Sequence, residues 1–327
     1  MNLHKDKIAF EEFIPLAADH FGFQSFQIEK DYYVSLFLKN LIEVAPEIIF
    51  KGGTSLSKCY DVINRFSEDI DLTIYFDQEK LSRGALKANQ RPLIDAIMKT
   101  VESLKFSFLN NEDEKVVSGR HFNKYKVGYE RSFSSDGMHM LQHILIETML
   151  SFRPYPCEEK FVSNYITKFL EKLERYDLIE KYELQPFNIR IQSIDRTFLD
   201  KLFAICDYHE AGDYKGKSRH LYDIHMIYQS DFLKLDILPT LVNQVIETRR
   251  DGKNTYSCQT GYKPVTILQE IIDKEVYKGD YYTNTKEFLS EFVNYEEAIN
   301  SLKEIIAKGW IPNEIPEQTA LVSESVK

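Results

Sequence analysis

The chain has 327 residues, 43% hydrophobic and 28% charged, with 13 glycines and 10 prolines. That balance excludes a collagen-like, low-complexity or disulfide-scaffold protein, and the length calls for two lobes rather than one enlarged core. Forty-one Lys and Arg against 51 Asp and Glu leave a net charge of −10, which disfavours a general nucleic-acid coat but not a local basic patch. Four separated cysteines without a C-x-x-C pair, no apolar run of ~20 residues and no signal-like start point to a cytoplasmic protein with reduced thiols and no membrane partner.

In chain order, Ile8, Phe10, Phe13, Ile14 and Leu16 predict a helix over 8–20. A second covers IEKDYYVSLFLKNLI, with Tyr33, Phe37 and Leu41 in one stripe. Ile48, Ile49 and Phe50 form a short strand running into Lys51, Gly52, Gly53 and Thr54, and SLSKCYDVI restarts a helix with Thr54 or Ser55 as N-cap. From Asp69 the pattern alternates: Ile70, Leu72, Ile74 and Phe76 on one face, Asp69, Asp71, Thr73 and Tyr75 on the other. Residues 85–105 read as helix. FNKYKVGYERSF and LQHILIETML then read as two strands joined by the turn residues SSDG, and FNIRIQSI as a further strand. Beyond Asp195 the chain is helical to about Trp310, broken by GKNTYSCQTGYKP. The expected class is therefore α+β: a small, mostly antiparallel sheet flanked by helices in a lobe over 1–194, a helical lobe over 195–311, and a mobile tail over 312–327.

Two aspartates at i, i+2 on a strand share a face about 6–7 Å apart, so Asp69 and Asp71 can converge on a divalent cation. Glu147, which shares a strand face with His143 and Leu145, is the expected third carboxylate. An isolated D-x-D is more often a solvated strand end. What raises its value here is KGGTSLSK upstream, where small residues and free N–H groups suit a phosphate cradle, although Gly52-Gly53 can also be only a tight connection. It is not a Walker A loop, because no glycine directly precedes Lys58.

FKGGTSLSKCYDVINRFSEDIDLTI resembles the signature of the AbiEii/AbiGii-type nucleotidyltransferase toxins, within the DNA polymerase β-like superfamily. Arg65, Ser67, Asp69, Asp71 and Leu72 fit the family's Arg-x-Ser-x-Asp-x-Asp-Leu, and Glu29, Lys30, Asp31 and Tyr32 its Glu-Lys-Asp-Tyr segment. RTFLDKLFAI supplies Arg196, Asp200 and Lys201, and SRHLYDIHMI supplies Arg219 and Asp223. His220 stands where many members carry Asp, so no role is carried to it.

The resemblance implies transfer of a nucleoside monophosphate from an NTP, with Mg²⁺ (or Mn²⁺) as cofactor, in a cleft completed by the helical lobe. It implies Asp69, Asp71 and Glu147 as metal ligands, and Asp69, Asp71, Lys201 and Asp223 as catalytic. Lys51, Gly53, Thr54, Ser55, Ser67 and Arg196 are implied to bind the nucleotide. By its spacing alone Lys201 is a solvated helix lysine lying off the Phe198, Leu202, Ile205 and Cys206 stripe, and Arg219 and Asp223 form a surface i, i+4 pair.

The implied function is a toxin of a toxin–antitoxin or phage-defence pair, with RNA (the tRNA 3′ end) as acceptor and an antitoxin encoded by a neighbouring gene as partner. Transfer to a protein hydroxyl, or a module that binds nucleotide without catalysis, are the alternatives. Lys115, Arg120, Lys124, Lys126 and Arg131, interleaved with Phe122, Tyr125 and Tyr129, form either an RNA contact or a solvated strand edge. Lys124 and Lys126 are expected to serve the acceptor while remaining apart from the nucleotide cradle. His139, His143 and the HEAGD segment read as structural.

Overall fold

The computed structural model describes residues 1–67, 69–74, 83–111, 115–118, 122–134, 141–150, 153–250, 252 and 254–318. The chain divides into two compact units, Met1–Ser193 and Ile194–Lys327.

The first unit opens with helices Lys7–Phe21 and Ser25–Val44. Asp6 caps the first, its carboxylate accepting from Ala9 N–H, and Gly22 ends it at φ 72°, a left-handed conformation suited to glycine. Its buried stripe is Ala9, Phe10, Ile14, Ala17 and Ala18. Ile8 and Leu16, expected inside, are exposed. The second helix is buried over most of its circumference, including Glu29, Lys30 and Asp31, so it is a core helix rather than an amphipathic surface one.

Among the described residues eight strands form one sheet: β1 (Ile48–Lys51), β2 (Asp69–Ile74), β3 (Ser107–Phe108), β4 (Val116–Ser118), β5 (Phe122–Gly128), β6 (Ile144–Met149), β7 (Cys157–Val162) and β8 (Phe187–Gln192). The order is β3-β5-β6-β2-β1-β8-β7, with β4 on β5. Five pairings are antiparallel and two, β1 with β8 and β2 with β6, are parallel. The sheet is thus larger than expected and mixed, its parallel contacts flanking the central β1–β2 pair. In β2, Ile70 and Leu72 are fully buried while Asp69 and Asp71 are half-buried on the other face. Burying each apolar side chain contributes about 1.5–3 kcal/mol. The alternation therefore fixes which face carries the aspartates.

Several expectations shift. β7, helices Tyr165–Lys172 and Tyr176–Lys181, and the short β3 and β4 have no counterpart in the sequence reading. Tyr75, Phe76, Arg120, His139 and most of the SSDG turn lie outside the described residues. The predicted 85–105 helix runs from Arg83 to Ser103.

The second unit carries helices Ile194–Ala211, Arg219–Tyr228, Leu238–Arg250, Pro264–Asp273 and Tyr295–Ala307. Arg249 is buried between Asp200 (3.3 Å) and Asp207 (2.6 Å), joining two of these helices. The segment expected as a tail from 312 is held as far as Pro316: Ile315 is buried and exchanges backbone hydrogen bonds with Gly261 and Tyr262. Residues 319–327 of that tail lie outside the described residues. No helix among the described residues is long and apolar enough to cross a membrane.

Candidate functional site

The turn after β1 and the strand β2 lock together residue by residue. Gly52 has φ +79°, and a Cβ on it would lie 1.9 Å from Asp71 Oδ2. Only glycine satisfies both the left-handed backbone and the approach of that carboxylate. A Cβ on Gly53 would meet Arg65 Nη2 at 2.5 Å and Ser67 Oγ at 3.0 Å. Thr54 Oγ1 donates to the Asp69 carbonyl and lies 2.9 Å from Ser67 Oγ, and Ser55 Oγ donates to the Gly52 carbonyl at 2.8 Å. Thr54 and Ser55 are both buried. Their hydroxyls therefore shape the turn, and the helical turn starts at Gly52 with Lys51, not Thr54 or Ser55, at the N-cap.

A π turn, Leu56–Tyr60, carries Lys58 inward. Its ammonium is buried, bonding the Asp31 carboxylate, the Asp31 carbonyl (3.2 Å) and Ser35 Oγ (2.7 Å). Burial pulls its pKa down and Asp31 opposes that shift. Asp31 Oδ2 also accepts from Tyr165 N–H at 2.9 Å. Glu29 accepts from Ser132 and Phe133 N–H; burial raises its pKa and those hydrogen bonds oppose the rise. Lys30 donates to the Leu141 carbonyl at 2.8 Å. The Glu-Lys-Asp-Tyr segment thus ties the glycine turn and the chain entering β6 to one core helix.

The registers on either side of β2 build the site. β1 sets Lys51 opposite Asp71; β6 sets Leu145 beside Asp69 and Glu147 beside Asp71; β5 sets Lys124 opposite Glu147 and Lys126 opposite Leu145. One transverse row therefore reads Lys51, Asp71, Glu147, Lys124, at the strand spacing of about 4.8 Å. Side chains paired in this way share a face. Lys124 Nζ lies 2.7 Å from Glu147 Oε1, both partly exposed. Lys51 Nζ lies 3.9 Å from Met149 Sδ. His143 has its pKa lowered by burial and by Lys30 and Lys126, against the opposing pull of Asp69.

Lys124 therefore stands in the carboxylate row, two strands from Asp71 and three from Lys51 at the start of the glycine turn. Distance along the sequence concealed a neighbour across the hairpin. Lys126, one position further along the same face, is exposed. Arg131 donates to Gln142 Oε1 at 2.7 Å.

Three carboxylates in neighbouring register positions give an all-oxygen donor set, and the Asp71 carboxylate packs against the bare Gly52 backbone. The donor chemistry suits a hard divalent cation. Among the described residues no group of three His, Cys, Asp or Glu side chains is placed to hold a metal ion; Glu147 is paired with Lys124.

In the second unit, Lys201 Nζ meets Asp223 Oδ2 at 2.7 Å, with side-chain exposures of 8% and 0%. Lys201 is a buried, paired lysine rather than a solvated one, and Asp223 is fully buried rather than at the surface. Arg196 is buried with Nε 3.1 Å from Asp200 Oδ2. The loop before the Asp223 helix is held by Asp280, which accepts from Gly216 N–H, Ser218 N–H and Ser218 Oγ. Asp280 was missed by the sequence reading; it lies in no motif.

A family model described as nucleotidyl transferase AbiEii toxin, type IV TA system, matches residues 37–308. No curated protein sequence matches. Among solved structures the chain is similar to MenT4, a nucleotidyltransferase toxin from Mycobacterium tuberculosis H37Rv, at 14% identity and a TM-score of 0.43, with 89% of this chain and 98% of that chain covered.

Proposed function

The chain belongs to the AbiEii family of nucleotidyl transferase toxins of type IV toxin–antitoxin systems, and on that premise we propose that the carboxylate row is its transfer centre. The observation that carries this reading is the register that sets Asp71 beside Glu147 and behind the Gly52 turn, with Asp69 two residues away on the same face. The reaction is attack of an acceptor hydroxyl on the α-phosphorus of an NTP; the bond to the β-phosphate oxygen breaks and pyrophosphate leaves.

Asp69, Asp71 and Glu147 would hold Mg²⁺ or Mn²⁺, which supplies charge neutralisation for the phosphates. Gly53, Thr54 and Ser55 offer backbone N–H groups to the β- and γ-phosphates while the Thr54 and Ser55 hydroxyls keep the turn in shape. Lys51 and Ser67 border that turn. From the family resemblance, Lys201 and Asp223 take catalytic roles and Arg196 a nucleotide-binding one; within the second unit Lys201 is paired with Asp223 and Arg196 with Asp200. Catalysis by this set rests on positioning and on stabilising charge as it develops.

We assign the acceptor to RNA, the tRNA 3′ end being the type implied by the family resemblance, with Lys126 and Arg131 as backbone contacts. The other partner is an antitoxin encoded by a neighbouring gene, the setting is cytoplasmic, and the cellular role is growth arrest or phage defence. The test is incubation of the full chain and divalent cation with each α-labelled NTP, first with total RNA and then with total protein. Label in RNA supports the reading, label in protein moves the acceptor to a protein hydroxyl, and label in neither returns the chain to a nucleotide-binding module.

A further inference from the structure

We propose that Lys124 is a built-in counter-cation that competes with the divalent cation for Glu147 and so sets how tightly the carboxylate row binds it. The inference rests on the carboxylate row being the cation site. Three observations carry it. Lys124 and Glu147 are register partners on adjacent antiparallel strands, so their side chains meet without strain. Lys124 Nζ lies 2.7 Å from Glu147 Oε1, which places the carboxylate in an ion pair rather than beside Asp71 alone. The same ammonium lies 5.3 Å from the centroid of the Phe122 ring, a second resting place that a cation can keep when its carboxylate turns away.

The charge pattern gives the reason for such a device. Asp71 and Glu147 are like charges in directly neighbouring positions, and neighbouring carboxylates repel unless a cation stands by. Lysines at both ends of the row, Lys51 and Lys124, supply that charge from within the chain. A divalent cation entering the row takes the Glu147 carboxylate from Lys124, and the released ammonium remains on the rim of the site over Phe122. The apparent affinity for the cation is then its intrinsic affinity reduced by the strength of the Lys124–Glu147 pair.

The experiment measures Mn²⁺ binding to the full chain without nucleotide, by loss of the free-ion paramagnetic resonance signal. Lys124→Met keeps the aliphatic stem and removes the charge. It should tighten the Mn²⁺ dissociation constant about two- to fivefold, the range that an ion pair of this exposure can withhold. Lys124→Gln should tighten it in the same direction. Lys126→Met removes the same charge from the next position along the same face and should shift the constant less, because no carboxylate partner is released. In a Glu147→Gln background, Lys124→Met should have no effect on the constant.

Wild-type affinity in Lys124→Met and Lys124→Gln, or an equal tightening in Lys126→Met, overturns the inference. Persistence of the Lys124→Met effect in the Glu147→Gln background also overturns it, because the effect then does not pass through Glu147. Asp71→Asn separates the two levels of argument. Mn²⁺ binding that depends on Asp71 but ignores Lys124 rejects this inference alone, whereas binding indifferent to Asp71 rejects the cation site as well.

Discussion

Gly52→Ala is the sharpest perturbation of the site that leaves every charged group in place. Two terms add. A non-glycine residue at φ +79° costs on the order of 1–2 kcal/mol. The new Cβ would also stand 1.9 Å from Asp71 Oδ2, so the carboxylate must retreat by roughly 1.5 Å to reach ordinary contact. A displacement of that size in a positioned group costs about 100-fold in rate. Gly22→Ala, at φ +72° in the same unit with nothing within 4 Å of its Cβ, isolates the conformational term. Both variants should lose about 2–8 °C in Tm. In a labelled-NTP transfer assay only Gly52→Ala should lose activity, by about two orders of magnitude. Gly52→Ala with the activity of Gly22→Ala would refute the claim that the glycine exists to admit the Asp71 carboxylate.

Asp69→Ala and Asp71→Ala should each abolish transfer and growth arrest with the melting curve within ~1 kcal/mol of wild type, since removing one of several neighbouring carboxylates relieves repulsion; unfolding or retained activity in either would displace the metal-ligand assignment. Lys201→Ala should destabilise the chain by about 3–5 kcal/mol in denaturant titration, because it removes the cation 2.7 Å from the buried Asp223 carboxylate, and Lys201→Arg should not restore full transfer, because a forked guanidinium does not replace an ammonium in a tight pair. A stability change below ~1 kcal/mol for Lys201→Ala would return this lysine to the solvated surface. Burial would raise the Asp280 pKa, but hydrogen bonds from Ser218 Oγ and from Gly216 and Ser218 N–H hold it below its ordinary value. A depressed carboxylate stabilises the fold above the unfolded pKa of about 3.9 and loses that contribution as pH falls through its lower folded value; acid titration of thermal stability should show this loss below about pH 4, and Asp280→Asn should flatten it.

Much of the fold could be read where periodicity was strong. The alternation from Asp69 gave β2 and its polar face, because an antiparallel or mixed sheet with one buried face imposes period two. The α+β class, the helical second half and the strands β5, β6 and β8 followed from the same signals. β7 escaped notice because CEEKFV is charged and lies on the sheet edge, where exposure removes the apolar cue. Its exposed Phe161 is the only aromatic in it.

In the site, motif residues were named from resemblance, but their division of labour was not legible. Thr54 and Ser55 look like phosphate ligands in sequence, and the structure turns their hydroxyls inward. The Lys124–Glu147 pair was accessible in principle: a hairpin folded symmetrically about Ser134–Gly137 sets 124 opposite 147, as observed. The signal is a register, and the basic residues around Lys124 mask it. The burial of Lys201 was not legible at all, because its partner Asp223 lies on a different helix and no period connects them.

The central claim is transfer of a nucleoside monophosphate through the Asp71 face, and a matched labelling pair tests it most directly. The full chain is given the same NTP carrying label at the α- or the γ-phosphate, with total RNA as acceptor, in wild type and in Asp71→Asn. The account predicts that α-label enters RNA, that γ-label leaves in pyrophosphate, and that Asp71→Asn transfers neither. Entry of γ-label into the acceptor, or undiminished α-labelling by Asp71→Asn, would contradict it.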